Sequence, residues 1–199
     1  MNNNLKTENL KDPSEYFRPS VATDGVVFKI INNELYVLLI KRKLSETRIT
    51  KEHRPYQGYW ALPGGFIRGK ETAEEALLRE LKEETNLNLK FKASSTKTYQ
   101  FSFYSQPDRD AWSFEGDKKG NWRQTMSVAF VVISQSSHTL SPDTDAIDAQ
   151  YKKVSDIFNK KIENKVLAFD HNQIIKDAVS YFVNKLAFEP VALDFCNDK

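Results

Sequence analysis

Three glutamates, Glu80, Glu83 and Glu84, lie close together in a charged segment of the chain. A helix turns by about 100° per residue, so side chains three and four positions apart project from one face. Carboxylates crowded on one helix face repel one another. A divalent cation such as Mg²⁺ or Mn²⁺ prefers oxygen ligands and relieves that repulsion. The spacing therefore predicts a metal site, and the ion there could also neutralise the charge of a diphosphate.

Glutamates of this kind are more often part of a solvated amphipathic helix, so the residues before the helix matter. Tyr59–Phe66 is a short apolar run that contains two glycines, which let the backbone bend and bring a carbonyl close to a ligand. Thr72 followed by Glu75 predicts a capping box at the start of a helix. This order of strand, glycine loop, capped helix and acidic face favours the metal site.

The segment from Gly65 to Leu87 resembles the Nudix box, the signature of a superfamily that hydrolyses nucleoside diphosphates linked to another group. The family pattern is a glycine, five residues, a glutamate, seven residues, and then Arg-Glu-hydrophobic-x-Glu-Glu-x-Gly-hydrophobic. Glu71 and the run from Arg79 match this pattern, but Asn86 stands where the second glycine belongs. Asparagine is the usual substitute for glycine in the left-handed conformation that ends a helix. We therefore expect the loop to be preserved.

The resemblance implies the metal ligands and the reaction chemistry. Glu80 and Glu84 would hold the metal together with the carbonyl group of Gly65. Glu83 would hold a second metal or orient the attacking water, and the pattern leaves open which glutamate is the general base. The implied cofactor is Mg²⁺, with Mn²⁺ as the alternative ion.

Further site residues are expected around this box. Glu71 and Arg79 are expected to pair and hold the loop against the helix, with a phosphate contact by Arg79 as the alternative. Arg42 ends a predicted strand that leads towards the substrate in this fold, so it either binds substrate or is a surface charge. Arg109 and Asp110 lie in a loop that either closes over the substrate or forms a turn with a local salt bridge. The residues that could stack on a base are Phe28, Tyr56, Tyr99 and Trp112.

The remaining pattern predicts an α/β protein. Strands are predicted at Val21–Phe28, Leu35–Ile40, Tyr59–Leu62, Leu87–Ala93, Tyr99–Tyr104, Met126–Ile133 and Tyr151–Val154. A helix is predicted from Ala73 to Thr85. A final helix is predicted after Asp170, which caps it, and Pro190 stops this helix. His171, in its first turn, is expected to have a structural role. Residues 142–148 are predicted to form an acidic loop. Strands mixed with helices indicate layers, and the resemblance specifies an α/β/α sandwich with a mixed sheet.

Length and composition are those of a globular protein with one main domain. The 199 residues are 40% hydrophobic and 28% charged. A net charge of +2 is too small to indicate a broad nucleic-acid surface. No apolar run has the length needed to cross a bilayer, and the single Cys196 fits a reducing cytoplasm. We predict a tail or edge segment at 1–19, a Nudix domain at 20–188, and a tail or truncated linker at 189–199.

Segments outside the box are similar to two Nudix branches. Arg18–Phe28, Leu38–Arg42, Trp60–Phe66 and Pro107–Asp110 are similar to the ADP-ribose pyrophosphatase group. Leu167–His171 is similar to a segment of Nudix-related transcriptional regulators, which bind ADP-ribose-like ligands and carry a C-terminal winged helix. The first resemblance implies hydrolysis of ADP-ribose to AMP and ribose 5-phosphate.

Two alternatives stay open. The chain is a regulator cut before its winged helix, in which case nucleic acid is a partner, or it removes damaged nucleoside triphosphates. The regulators often have an eroded box, whereas this box keeps all three glutamates, and only nine residues follow Pro190. The expected ligand is a small nucleotide in each case, and the C-terminal helix could support a homodimer.

Overall fold

The computed structural model describes residues 16, 18–43, 56–89, 96–109, 124–134, 140, 146–159 and 167–188. The strands are β1 (Ser20–Ile31), β2 (Glu34–Arg42), β3 (Trp60–Ala61), β4 (Gly64–Phe66), β5 (Thr96–Tyr104), β6 (Thr125–Ser134) and β7 (Ala146–Lys153). The helices are α1 (Ala73–Thr85), α2 (Val154–Phe158) and α3 (His171–Phe188). Among these residues, no helix is long and apolar enough to cross a membrane.

Strand β1 is central to a mixed sheet. It pairs in parallel with β6, and antiparallel with β2 and β4. Strand β5 pairs with the far side of β6, while β3 and β7 pair with β2. The register places Asp24 of β1 opposite Gly64 of β4, so β1 directly supports the glycine loop.

The two faces of the sheet carry separate hydrophobic clusters. Successive residues of a strand point to opposite faces. Val26 and Phe28 pack in a cluster with Ile174 of α3, whereas Val27 packs in a cluster with Leu77 of α1. Helices therefore cover both faces, which confirms the predicted α/β/α sandwich with a mixed sheet.

Two predictions of secondary structure were wrong, and a third failed at its last residue. A strand was expected at Leu87–Ala93, but residues 87–89 belong to no strand. Leu87 and Leu89 are buried and pack beneath α1 without backbone pairing. Residues 90–93 lie outside the described part. Residues 146–148 were expected in a loop but belong to β7, since pairing with β2 outweighs their acidic composition. Val154, expected at the end of a strand, begins α2.

Both ends of α1 follow the local rules read from the sequence. The Thr72 hydroxyl accepts a hydrogen bond from the Glu75 amide at 3.1 Å, and the Glu75 carboxylate accepts one from the Thr72 amide at 2.7 Å. Asn86 has φ 58° and ψ 16°, and its amide donates to the Lys82 carbonyl. The predicted capping box and left-handed end are thus confirmed, and α1 covers the predicted residues.

The conformation of Asn86 generates a stability prediction. Replacing Asn86 with Gly should leave the free energy of unfolding within about 0.5 kcal/mol of wild type, because glycine adopts this conformation freely. Replacing it with Ala should lower that free energy by about 1 kcal/mol, because a Cβ disfavours positive φ. Urea unfolding measures both variants. Equal stability of the two would show that Asn86 does not hold this conformation.

Candidate active site

The glycine loop is attached to the last turn of α1. The amide of Gly64 donates a hydrogen bond to Glu84 Oε2 at 3.0 Å. Glu84 is only 6% exposed, so this bond satisfies part of a carboxylate that burial would otherwise penalise. One predicted metal ligand therefore already lies against the loop.

Both glycines of the loop have close neighbours, and at Gly64 the neighbour is backbone that cannot move aside. A Cβ on Gly65 would lie 2.6 Å from Cδ of Glu80, so a second predicted ligand packs directly on the loop backbone. A Cβ on Gly64 would overlap the carbonyl oxygen of Thr23 in β1. Glycine at these positions lets β1, the loop and α1 approach one another.

Arg79 connects the loop to the carboxylates of α1. Its Nε and Nη2 atoms donate to the two carboxylate oxygens of Glu71 at 3.0 and 2.7 Å. Nη2 also donates to the carbonyl of Phe66 at 3.1 Å, and Nη1 donates to Glu80. The hydrogen bonds from Arg79, followed by that from the Arg68 amide, lower the pKa of Glu71 to about 2. Glu71 is therefore an anion that fixes Arg79 in place.

The carboxylate of Glu83 contacts two guanidinium groups, those of Arg68 and Arg79. Arg68 donates to its two carboxylate oxygens at 3.3 and 3.5 Å, and Arg79 Nη1 lies 3.4 Å from Oε2. Arg68 is well exposed, with 62% of its side chain accessible. The Arg68–Glu83 pair is therefore a weak, exchangeable one.

The arrangement bears directly on metal binding. Among the described residues, no three acidic, histidine or cysteine side chains converge on one point. The cause is visible in the contacts: Glu80 and Glu83 turn towards arginines, and Glu84 turns towards the Gly64 amide. The donors are nevertheless of the hard oxygen type that Mg²⁺ and Mn²⁺ prefer, and Glu80 packs on Gly65 while Glu84 binds the neighbouring Gly64 amide. The residues fit such an ion once Glu80 and Glu83 exchange arginine for metal.

A second charged network lies buried behind the glycine loop. Arg109 donates through Nε and Nη2 to both carboxylate oxygens of Asp170, and through Nη2 to Asp24. His171 Nε2 and the Ser127 hydroxyl also contact Asp24, at 3.3 and 2.5 Å. These contacts give Arg109 a structural role in the fold, and its predicted contact with substrate stays a prediction.

The charge state of Asp24 follows from these partners. Burial by itself raises the pKa of this carboxyl, but His171, Arg109 and Ser127 together outweigh burial and lower the pKa to about 2. Burial alone would lower the pKa of Arg109. Hydrogen bonding to Asp170 and attraction to Asp24 outweigh burial, so the pKa of Arg109 is raised. Asp24 and Arg109 are therefore an ion pair inside the protein.

Arg42, a candidate for substrate binding, and Tyr56, a candidate for base stacking, meet at Phe169. The guanidinium carbon of Arg42 lies 5.1 Å from the Phe169 ring centroid, and the Tyr56 ring lies 4.8 Å from it. The Arg42 backbone also pairs with Tyr59 and Gly58. The structure thus brings two of the predicted residues together beside β3, and substrate contact by Arg42 stays a prediction.

Two other candidates for base stacking, Phe28 and Tyr99, lie in the hydrophobic core or at its edge. Phe28 is fully buried and packs on Phe182 at 5.5 Å, so it is a core residue and cannot stack on a base. Tyr99 packs at the edge of the same core, with Lys185 over its ring. Asp110 and Trp112 lie outside the described residues.

Sequence reasoning missed Asp24 and Arg68, and it assigned Asp170 only a capping role. Asp24 carried a usable signal, because an acidic residue in an apolar strand needs a buried partner. Its partners are 85 and 103 residues away in the sequence, at Arg109 and Ser127. No local pattern names such partners, and Arg68 carries no signal beyond its charge.

Comparisons with known proteins identify the class. The family model described as a NUDIX domain matches residues 22–172. Together with the intact box on the glycine loop and α1, this match shows that the chain belongs to the Nudix family of hydrolases.

Two curated proteins are similar to this chain over most of its length. The chain is 35% identical to a Methanocaldococcus jannaschii protein described as an ADP-ribose pyrophosphatase, over 87% of this chain and 80% of that protein. It is 24% identical to the ADPR responsive transcriptional repressor NtrR of Acinetobacter baylyi, over 90% of this chain but only 62% of the repressor.

Solved structures share the fold. A MutT/nudix family protein from Enterococcus faecalis has a TM-score of 0.68 and 26% identity, covering 92% of this chain and 69% of that one. A bifunctional NMN adenylyltransferase/ADP ribose pyrophosphatase from Francisella tularensis, solved with AMP and a manganese ion, has a TM-score of 0.55 and 28% identity. The match covers 84% of this chain and 43% of the bifunctional protein.

The Arg68–Glu83 pair generates a prediction about metal affinity. Replacing Arg68 with Gln should raise the affinity for Mn²⁺ about two- to fivefold, because the ion no longer displaces an exposed guanidinium from Glu83. Calorimetric titration of the protein with MnCl₂ measures this change. The matched control is Lys70→Gln, which removes an exposed positive charge on the same loop and should have a smaller effect. Unchanged or weaker binding by the Arg68 variant would contradict the competition.

Asp24 generates a prediction about pH. Its pKa is about 2 in the fold against an ordinary value of 3.8, so its ionisation stabilises the fold above about pH 4, and this stabilisation is lost as the pH falls towards 2. Asp24→Asn should lower the free energy of unfolding at pH 7 by about 2–3 kcal/mol.

The difference between wild type and Asp24→Asn should fall by roughly half at pH 3. Urea unfolding between pH 3 and 7 measures it, with the exposed Asp108→Asn as control, expected to stay within about 0.5 kcal/mol of wild type. A difference that does not depend on pH would show that the stabilisation does not come from the ionised carboxylate.

Proposed function

We propose that this chain hydrolyses the diphosphate bridge of ADP-ribose in a reaction that depends on Mg²⁺ or Mn²⁺. Water adds to one phosphorus atom, the bridging P–O bond breaks, and the products are AMP and ribose 5-phosphate. The observation that carries the proposal is that α1 presents Glu80, Glu83 and Glu84 beside the glycine loop, with Glu80 packed on Gly65 and Glu84 bound to the Gly64 amide. The 35% identity with a protein described as an ADP-ribose pyrophosphatase supports the choice of substrate.

The residues of the box have separate roles in this proposal. Glu80 and Glu84 hold the metal with the Gly65 carbonyl, and Glu83 holds a second ion or orients the attacking water. When bound, the metal neutralises charge on the diphosphate and makes water a better nucleophile. Glu84 keeps its hydrogen bond to the Gly64 amide, which holds one oxygen of this ligand in place. Glu80 and Glu83 supply the mobile carboxylates.

Arg79 acts as support for the box. Glu71 holds its guanidinium through two hydrogen bonds, so Arg79 stays beside the carboxylates when Glu80 turns to the metal. Its bond to the Phe66 carbonyl keeps the end of the loop next to α1. Arg42 and Tyr56, which meet at Phe169, are the proposed contacts for phosphate and base, and Arg109 and Asp110 remain candidates at the loop after β5.

A panel of nucleotides followed by phosphorus NMR tests this proposal. ADP-ribose with Mg²⁺ should give AMP and ribose 5-phosphate as the two phosphorus products. Glu84→Gln should lower kcat/KM by about 100-fold or more, because the amide is a poor metal ligand, while the Gly64 bond can still form. Glu74→Gln, in the first turn of the same helix, is the control and should keep its activity. Absence of any product from the whole panel would defeat the proposal.

The alternative of a ligand-sensing regulator draws support from the 24% identity with the repressor. It predicts tight binding of ADP-ribose with negligible turnover, and a winged helix encoded after Lys199. The same panel separates it from hydrolysis, because a regulator would bind ADP-ribose in calorimetry and release nothing. A housecleaning enzyme would instead prefer a nucleoside triphosphate and release pyrophosphate. The homodimer and the cytoplasmic location stay predictions.

A further inference from the structure

The turn before α3 completes the free edge of β3. One edge of this short strand pairs with β2, where Ala61 lies opposite Ile40. On the other edge, the Ala168 amide donates to the Trp60 carbonyl at 2.8 Å. The Leu62 amide donates to Nδ1 of His171, also at 2.8 Å. An imidazole nitrogen therefore takes the place that a carbonyl oxygen would have in a neighbouring strand.

This hydrogen bond fixes the tautomer of His171. Because Nδ1 accepts a proton from the Leu62 amide, it carries no hydrogen of its own. The proton lies on Nε2, which faces Asp24 Oδ1 at 3.3 Å. Only 4% of the side chain is exposed, so water cannot readily replace either partner. The ring therefore links the strand before the glycine loop to the buried carboxylate.

The same turn holds the loop from its other side. Asp170 binds Arg109, Arg109 binds Asp24, and Asp24 lies opposite Gly64 in the pairing of β1 with β4. Phe169, between the two anchoring points, has φ 55°, which is unusual for a residue with a side chain. A rare conformation that persists in this partly buried turn indicates that the surrounding contacts over-determine it.

We propose that His171 is a positioning residue for the metal site. Its ring holds the Leu62 amide, and through Pro63 it sets the positions of the Gly64 amide and the Gly65 carbonyl relative to Glu84 and Glu80. The His171 ring contacts the Leu62 amide, Asp24 and Phe169, so its proposed effect on the metal site passes through the backbone after Leu62. The inference rests on the proposed function, because it assumes that a divalent ion binds at Gly65.

Two substitutions separate the two hydrogen bonds of the ring. In His171→Asn, the amide oxygen can take the place of Nδ1 and accept from Leu62, but the side chain is too short to reach Asp24. In His171→Gln, the longer side chain can donate to Asp24, but the acceptor for Leu62 is lost. Each variant keeps one bond and loses one, so urea unfolding should give both a similar loss of stability.

Affinity for Mn²⁺, measured by the EPR signal of the free ion, should distinguish the variants. His171→Gln should bind Mn²⁺ about tenfold more weakly than wild type, as is typical when a residue that supports metal ligands is lost. His171→Asn should stay within about threefold of wild type. Hydrogen exchange by NMR gives a readout that needs no metal: the Leu62 amide should be protected in wild type and His171→Asn, and exchange faster in His171→Gln.

The outcomes are distinguishable. If wild type binds Mn²⁺ and both variants bind it equally, His171 is only a part of the core and the inference is overturned. If wild type binds no Mn²⁺, the proposed function fails and the inference fails with it. If His171→Gln does not fold, His171→Ala, which also removes the acceptor, takes its place, and the same tenfold difference from His171→Asn is expected.

Discussion

The concentration of negative charge on one face of α1 is the constraint on which the rest of the site depends. Three carboxylates on that face, with Glu71 beside them, would push the loop and the helix apart if nothing balanced them. Arg79 supplies the balance, since one guanidinium contacts Glu71, Glu80 and the Phe66 carbonyl. The pKa of Arg79 is raised by its hydrogen bond with Glu71 and by Glu80, against the effect of burial. Because Arg79 binds both Glu80 and the Phe66 carbonyl, it holds the loop against α1.

The carboxylates of the box are held in two different ways. Arginines hold Glu80 and Glu83, while the backbone amide of Gly64 holds Glu84. The network is stable because each carboxylate has a partner, and it is exchangeable because Arg68 is exposed. The loop itself need not move, since β1, the Gly64 amide and the turn before α3 all hold it. A loop anchored at several points beside carboxylates with exchangeable partners suits the positioning of a diphosphate and its metal.

The parts that sequence could predict are those governed by local rules. The bounds of α1, its capping box and the left-handed Asn86 follow from residues that are neighbours in the chain. The end of β7 at residues 151–153 was predicted, but its start at residues 146–148 was not, because the cause is pairing with β2 more than 100 residues earlier. The network of Asp24, Arg109, Asp170 and His171 was missed for the same reason, since the hydrogen bonds of Arg109 alone join residues 61 and 85 positions apart. The box is evident from its spacing, whereas the support behind it depends on contacts between residues that only the fold brings together.

Crystallography with Mn²⁺ and a non-hydrolysable ADP-ribose analogue tests the central claim most directly. Anomalous diffraction locates the ion without assumptions about its ligands. We expect an anomalous peak within coordination distance of the Gly65 carbonyl and the carboxylates of Glu80 and Glu84, with the diphosphate on its open side. A peak at some other place, or Glu80 still bound to Arg79 with the analogue present, would contradict the account.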